Sequence, residues 1–208
     1  MDIEKELSQY NVSRETIEKL HKFVKLLTDW NQKMNLVSRN SLDCVWERHV
    51  LDSVQLIKYI PSSINHLLDI GSGSGFPAVV LAVLMQEKMP QAKVTMVESI
   101  AKKTLYLKDV CEKLGLNNVN VINSRVESIS LSAPDIITAR AVASLEVLCG
   151  YAAKIGSNNT ESLFLKGRSY ETELTEAQKN WKFNLQIYPN NYCDDGVILK
   201  LSKLRKCR

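Results

Sequence analysis

The stretch Leu67-Leu68-Asp69-Ile70-Gly71-Ser72-Gly73-Ser74-Gly75-Phe76-Pro77 constrains the fold more than any other part of the chain. A short apolar run enters three glycines at alternate positions, and a second apolar run begins after Pro77. A short apolar run that stops at glycine reads as a buried strand. Glycine supplies turn dihedrals that side chains resist, and it lets backbone approach a ligand with no Cβ between them. Proline suits the first turn of a helix. The stretch therefore predicts strand, ligand-binding turn and helix. Its spacing is G-x-G-x-G. A dinucleotide fold instead carries its third glycine inside the helix, where a pyrophosphate rests on the N-terminus.

Asp69 stands before the first glycine, at the carboxyl end of the strand. A carboxylate there repels a pyrophosphate and favours a cation, such as the ammonium or sulfonium of S-adenosylmethionine. Glu98 closes the next strand, Val94–Val97. That end of an α/β sheet lines the ligand crevice, where a carboxylate can accept both ribose hydroxyls. Glycine turn and carboxylate together point to a nucleoside ligand.

Around this unit the chain changes texture once. Residues 1–60 read as an N-terminal helical extension. Ser13 is an N-cap for Thr16–Trp30, with Ile17, Leu20, Val24 and Leu27 at helical spacing. The polar stretch Asn31–Ser41 follows, then a helical segment through Val45, Val50, Val54, Leu56 and Ile57 that stops at Pro61. Residues 61–208 are expected to form the α/β domain, making one compact unit with the extension. Strands are expected at His66–Ile70, Val94–Glu98, Val119–Asn123, Ile136–Ala139, Ser162–Lys166, Phe183–Tyr188 and Val197–Ser202. Helices are expected at Pro77–Glu87, Ala101–Leu114, Ser144–Ile155 and Tyr170–Trp181. This alternation predicts a mostly parallel seven-stranded sheet with helices on both faces. No helix separates the last two strands, and Asp195-Gly196 is turn chemistry, so one antiparallel strand is expected at the edge.

Composition adds limits. The chain has 208 residues, 45% of them hydrophobic and 24% charged, which suits a globular domain with a core. The net charge of +4 is compatible with nucleic acid and does not demand it. Lys203, Arg205, Lys206 and Arg208 read as a frayed, solvated terminus rather than a phosphate contact. The five cysteines form no C-x-x-C pair, which argues against a disulfide framework or a zinc site and for a reducing compartment. Cys44, Cys111 and Cys149 are expected to act as small apolar residues. Met1–Tyr10 lacks an apolar core and no apolar run approaches membrane-spanning length, so a cytoplasmic protein without a membrane contact is expected.

Several segments, in order, resemble the glucose-inhibited division protein B family, the bacterial 16S ribosomal RNA 7-methylguanosine methyltransferases. The glycine segment Asp69–Pro77 is similar to the family's motif. So are Trp30-Asn31-Gln32-Lys33-Met34-Asn35-Leu36 and Arg48-His49-Val50-Leu51-Asp52-Ser53. Ser124-Arg125-Val126-Glu127, Ala139-Arg140-Ala141 and Leu165-Lys166-Gly167 complete the set. The resemblance implies a class I, Rossmann-like S-adenosylmethionine-dependent methyltransferase. It implies that Gly71, Phe76, Val126, Glu127 and Arg140 bind the cofactor. The logic of the fold adds Asp69, Gly73, Gly75 and Glu98. Ala78 stands where the family often has glycine, a small change at a helix start. The implied partner is 16S ribosomal RNA or the small subunit, met by a monomer.

The implied acceptor, guanine N7, carries a free lone pair and needs no general base. Catalysis then rests on positioning, with Arg140 and Lys166 as the catalytic candidates and no metal. Asn35, Arg48 and Arg125 are the RNA-binding candidates. His49 is expected to make a structural hydrogen bond, Trp30 to join the core, and Asn31 and Asn35 either to cap the chain or, as the resemblance implies, to line a pocket. Three rivals stand beside this reading. An enzyme of the same fold could act on another RNA, a protein or a small molecule. A nicotinamide dehydrogenase is disfavoured by Asp69 and the glycine spacing, and a non-catalytic RNA-binding module by the glycine loop itself.

Overall fold

The computed structural model describes residues 2–207. In the extension, the Asp2 carboxylate caps helix α1 (Ile3–Ser8) and Ser13 Oγ accepts from Thr16 N at 3.2 Å to cap α2 (Arg14–Asn31). Leu20, Phe23 and Leu27 form the buried stripe of α2. A short helix α3 (Arg39–Asp43), capped by Ser38, interrupts the polar stretch that sequence left without structure. The expected helical segment beyond it is distorted. It runs as a wide π-helical turn (Trp46–Leu51), one α turn (α4, Asp52–Val54) and a tight 3-10 stretch (Gln55–Tyr59). Such widened turns recur at functional sites.

The domain then alternates. Strand β1 (His66–Ile70) leads to α5 (Ala78–Lys88), β2 (Lys93–Glu98) to α6 (Ala101–Lys113), and β3 (Val119–Asn123) to β4 (Ile136–Arg140). Helix α7 (Leu145–Ile155), β5 (Glu161–Lys166), α8 (Tyr170–Asn180), β6 (Trp181–Pro189) and β7 (Val197–Lys206) complete the chain. The sheet order is β3-β2-β1-β4-β5-β7-β6. The order reverses between β1 and β4, so the crevice opens above their carboxyl ends.

Helix α5 is buried from Ala78 through Met85. It has no polar face because the sheet covers one side while α2 and α4 pack on the other. The extension therefore completes the core on this face, from Leu20, Phe23 and Leu27 through Val79 and Leu81 to Leu67 and Met96. On the opposite face α7 and α8 enclose Leu148, Phe164, Leu174 and Leu199.

The fold differs from expectation in three further places. The antiparallel strand is β7, one place in from the edge, and β6 is the edge strand. The chain leaves α8, lays down β6 one strand-width out, and returns through the gap, because β7 carries the buried side chains Ile198, Leu199 and Leu201. The basic tail is strand rather than frayed: Lys206 pairs with Trp181 and Arg205 with Lys182, while Arg208 lies outside the described residues. Cys111 and Cys149 are buried as expected, but Cys44 is exposed on the cap of α3. Among the described residues no helix is long and apolar enough to cross a membrane.

Candidate functional site

The glycine turn is built as its spacing requires. Gly71, Gly73 and Gly75 have φ of +66°, +50° and +91°. A Cβ on Gly71 would lie 2.7 Å from Val142 Cγ2, and one on Gly75 would lie 2.8 Å from Val79 and 3.1 Å from Phe23. At Gly73 no atom comes closer than 3.6 Å. Two glycines thus accommodate packing and the middle one faces space. The turn is tied to β2: Gly71 N and Ser72 N donate to Val97 O, and Gly73 N donates to Glu98 Oε2 at 2.9 Å. Glu98 Oε1 accepts from Ile100 N at 2.8 Å. The carboxylate expected to meet a ribose therefore also latches the turn, and each oxygen keeps lone-pair capacity.

Asp69 lies beneath the turn rather than on the crevice wall. Thr138 Oγ1 donates to its Oδ1 at 2.6 Å, while Oδ2 is buried with no partner among the described residues. Burial pushes its pKa up to about 7, against the pull of the Thr138 and Ser72 hydroxyls and of Arg140. The group is balanced between charged and neutral near neutral pH, and a nearby cation would ionise it.

Two cavities open at the carboxyl edge of the sheet. The smaller, about 150 Å³, is a slot lined by the apolar side chains of Ile70, Val97, Val126 and Val142 together with Gly71, Ser99, Ser124, Arg125 and Glu127. Glu127 is fully exposed and accepts a bond from Tyr151 Oη at 3.0 Å. The larger, about 670 Å³, lies beyond Arg140 and is bounded by the π-helical turn, the end of β5 and the β6–β7 hairpin loop.

Arg140 stands at the larger cavity. Its guanidinium donates to Asp52 Oδ2 at 2.8 Å, to Arg48 O at 3.0 Å and to His49 Nδ1 at 2.7 Å. It lies 5.2 Å from the centre of the Phe76 ring, on which His49 stacks at 5.0 Å. Phe76 in turn meets Phe23 of α2 at 5.1 Å. Glycine turn, extension and β4 converge on this one cluster. Burial, then the charges of Arg140 and Arg48, lower the His49 pKa to about 4, so the ring is neutral at physiological pH. Because Nδ1 accepts from Arg140, the ring proton sits on Nε2, which is buried and unpaired among the described residues. His49 makes the structural bond that sequence anticipated.

Lys166 lines the larger cavity, but its ammonium is engaged: it donates to Ala143 O and Glu173 Oε2, both at 2.7 Å. Glu173 also accepts from Leu145 N at 2.8 Å. Lys166 thus fastens the loop after β4, in which Ala141 takes φ +55° and Val142 covers Gly71.

Arg48 and Arg125 are exposed, one lining each cavity. Asn35 is not brought to either. It lies in a separate cleft with Gln32 and Arg39 at the end of α2. Asn31 staples that loop, accepting from Leu36 N and Val37 N. Trp30 is half-buried, donates to Asp109 at 2.8 Å and meets Tyr106 edge-on, a packing role. Sequence reasoning assigned no role to Asp52, Gln55 or Asn190. Gln55 Nε2 donates to Asn190 Oδ1 at 2.7 Å, and Asn190 Nδ2 donates to Asp52 Oδ1, so the hairpin loop is locked to the extension. A buried Asp52 and Gln55 among apolar neighbours of one helical segment was the available signal. Asn190 offered none.

The family model described as rRNA small subunit methyltransferase G (GidB) matches residues 16–192. The chain belongs to this family. It is 40% identical over 198 residues to the ribosomal RNA small subunit methyltransferase G of Cereibacter sphaeroides, covering 95% of this chain and 96% of that one. It is also 40% identical to the protein of the same name from Rickettsia akari, covering 94% and 98%. Among solved structures it resembles an O-methyltransferase from Bacillus cereus in complex with S-adenosylhomocysteine, with TM-score 0.59 at 14% identity, covering 88% of this chain and 91% of that one. It also resembles a ribosomal protein L11 methylase from Lactobacillus delbrueckii, with TM-score 0.60 at 12% identity and coverage of 75% and 78%. These likenesses place the fold among class I, Rossmann-like methyltransferases.

Proposed function

We propose that this protein transfers the methyl group of S-adenosylmethionine to N7 of one guanine in 16S ribosomal RNA. The observation that carries the reading is the pair of cavities on either side of the loop after β4, with Ala141 and Ala143 lining the larger and Val142 the smaller, next to the glycine turn. The family relatives' names supply the ribosomal RNA, and the sequence motifs supply the N7 position.

The residues present fit the cofactor. The slot offers the apolar side chains of Ile70, Val97, Val126 and Val142, against which a purine ring can pack. Glu98 offers acceptors to a ribose, Gly73 offers an open backbone, and the unpaired Oδ2 of Asp69 offers an acceptor below the turn. When bound, the cofactor supplies an electrophilic methyl on a sulfonium.

The chain itself contributes position. Asp52, His49 and the Arg48 carbonyl hold Arg140 at the mouth of the larger cavity, where its remaining donors can orient a guanine edge or a phosphate. Lys166 fixes the loop that closes over the slot. Arg48 and Arg125, exposed at the two cavities, meet backbone phosphates without reading sequence. N7 gives up no proton, so no residue acts as base. The enzyme acts as a monomer on small-subunit RNA in the cytoplasm.

The test is transfer from methyl-labelled S-adenosylmethionine to small-subunit RNA or subunits lacking the modification, mapped by cleavage specific for 7-methylguanine. Label at a single guanine is expected. S-adenosylhomocysteine binding with no label in RNA overturns the substrate.

A further inference from the structure

The hairpin loop between β6 and β7 forms the wall of the larger cavity farthest from the glycine turn. The sheet order β1-β4-β5-β7 sets this: the turn follows β1, and the loop precedes β7. Resting on the proposed function, we infer that Asp194 in this loop reads the Watson–Crick edge of the target base and selects guanine.

The chemistry of the acceptor leads to this wall. The N7 lone pair lies in the plane of the base, so the N7 edge must face the glycine turn. The N2 amino group is the exocyclic atom farthest from N7, so it faces away from the turn, with N1–H beside it. That edge presents two adjacent donors, and a carboxylate presents two adjacent acceptors. Adenine has a lone pair at N1, which a carboxylate repels.

Four carboxylates line the cavity: Asp52, Glu173, Asp194 and Asp195. Three are engaged. Asp52 holds Arg140, Asn190 and Gln55. Glu173 holds Lys166 and Leu145 N. Asp195 pairs with Arg168. Asp194 is exposed to the cavity and meets no donor among the described residues.

Its neighbours are fixed on both sides, which anchors the stretch of backbone that carries the free carboxylate. Asn190 binds Asp52 and Gln55, and Asn191 N donates to Gln55 Oε1 at 3.1 Å. Tyr192 Oη meets Tyr10 Oη at 3.1 Å, and Gly196 N donates to Cys193 O at 2.8 Å. An acceptor carried on an anchored loop gives up less freedom on binding than one on a mobile loop.

The test uses small-subunit RNA ligated with guanosine or with inosine at the methylated position. Inosine keeps N7, O6 and N1–H and lacks only the N2 amino group. The intact protein should methylate guanosine about 10- to 100-fold faster than inosine, the effect of one lost hydrogen bond to a charged group. Asp194→Ala loses both bonds, so it should lower the guanosine rate at least to the inosine rate and erase the preference. S-adenosylhomocysteine affinity, measured in parallel, reports that the variant is folded. A variant that binds S-adenosylhomocysteine and keeps the intact protein's preference overturns the assignment. So does an intact protein indifferent to the N2 group. An intact protein that methylates no RNA overturns the proposed function and this assignment with it.

Discussion

Arg140 is held by a partner from a distant part of the chain, and breaking that pair tests how the site is assembled. The side chains of Arg140 and Asp52 are 16% and 7% exposed, and their closest approach is 2.8 Å. Asp52→Ala would leave the guanidinium in its buried place with His49 Nδ1 and the Arg48 carbonyl as its only acceptors among those described. Removing one member of a buried pair destabilises by about 3–5 kcal/mol, and the residual exposure of Arg140 argues for the lower end. For a chain of this size, about 3 kcal/mol lowers Tm by ~6–12 °C. Arg140→Met should destabilise less, because Asp52 keeps Asn190 and Gln55 as donors. The double variant should then be more stable than the sum of the two losses predicts, with a coupling of about 1–3 kcal/mol. Denaturant unfolding of the four proteins measures this, and labelled methyl transfer measures the consequence for activity. Additive single effects, within about 0.5 kcal/mol, would refute the idea that Asp52 holds Arg140.

Other expectations follow from the same geometry. Gly71→Ala combines a backbone at φ +66° with a Cβ 2.7 Å from Val142, so it should displace the loop over the slot and weaken S-adenosylhomocysteine binding by calorimetry. A native affinity in that variant would show that Val142 does not close the slot. The Asp69 pKa is raised by burial to about 7, above its unfolded value, so its contribution to stability is present at low pH and lost as pH rises through about 7. If a cation binds there, affinity for S-adenosylhomocysteine should rise across that pH range, and Asp69→Asn should flatten the slope. Phe23 is fully buried and touches both Gly75 and Phe76, so Phe23→Ala should destabilise the whole protein by about 3–5 kcal/mol. A single unfolding transition is expected, with extension and sheet melting together, and two separate transitions would contradict that.

The sequence by itself determined the elements, the glycine turn and the carboxylate tied to it. Period-2 and period-3.6 patterns, with glycine and proline as boundaries, are local signals, and they located seven strands and the helices between them. The glycine turn was legible because its demand for positive φ is met by residue type alone. Glu98 was legible because it sits at a strand end whose position the alternation fixes.

Tertiary structure decided what was joined. Asp52, Asn190 and Arg140 lie far apart in sequence, and only the packing of the extension against β4 and the hairpin brings them into one network. The same packing turned Lys166 from a free cation into a fastener of the loop after β4, and it set Asn35 apart from both cavities. It also placed β7 inside the sheet, where its apolar side chains are buried, and drew the basic tail into strand pairing. Local residue type sets which backbone shapes are allowed. Which polar side chains meet is settled when burial leaves each of them in need of a partner.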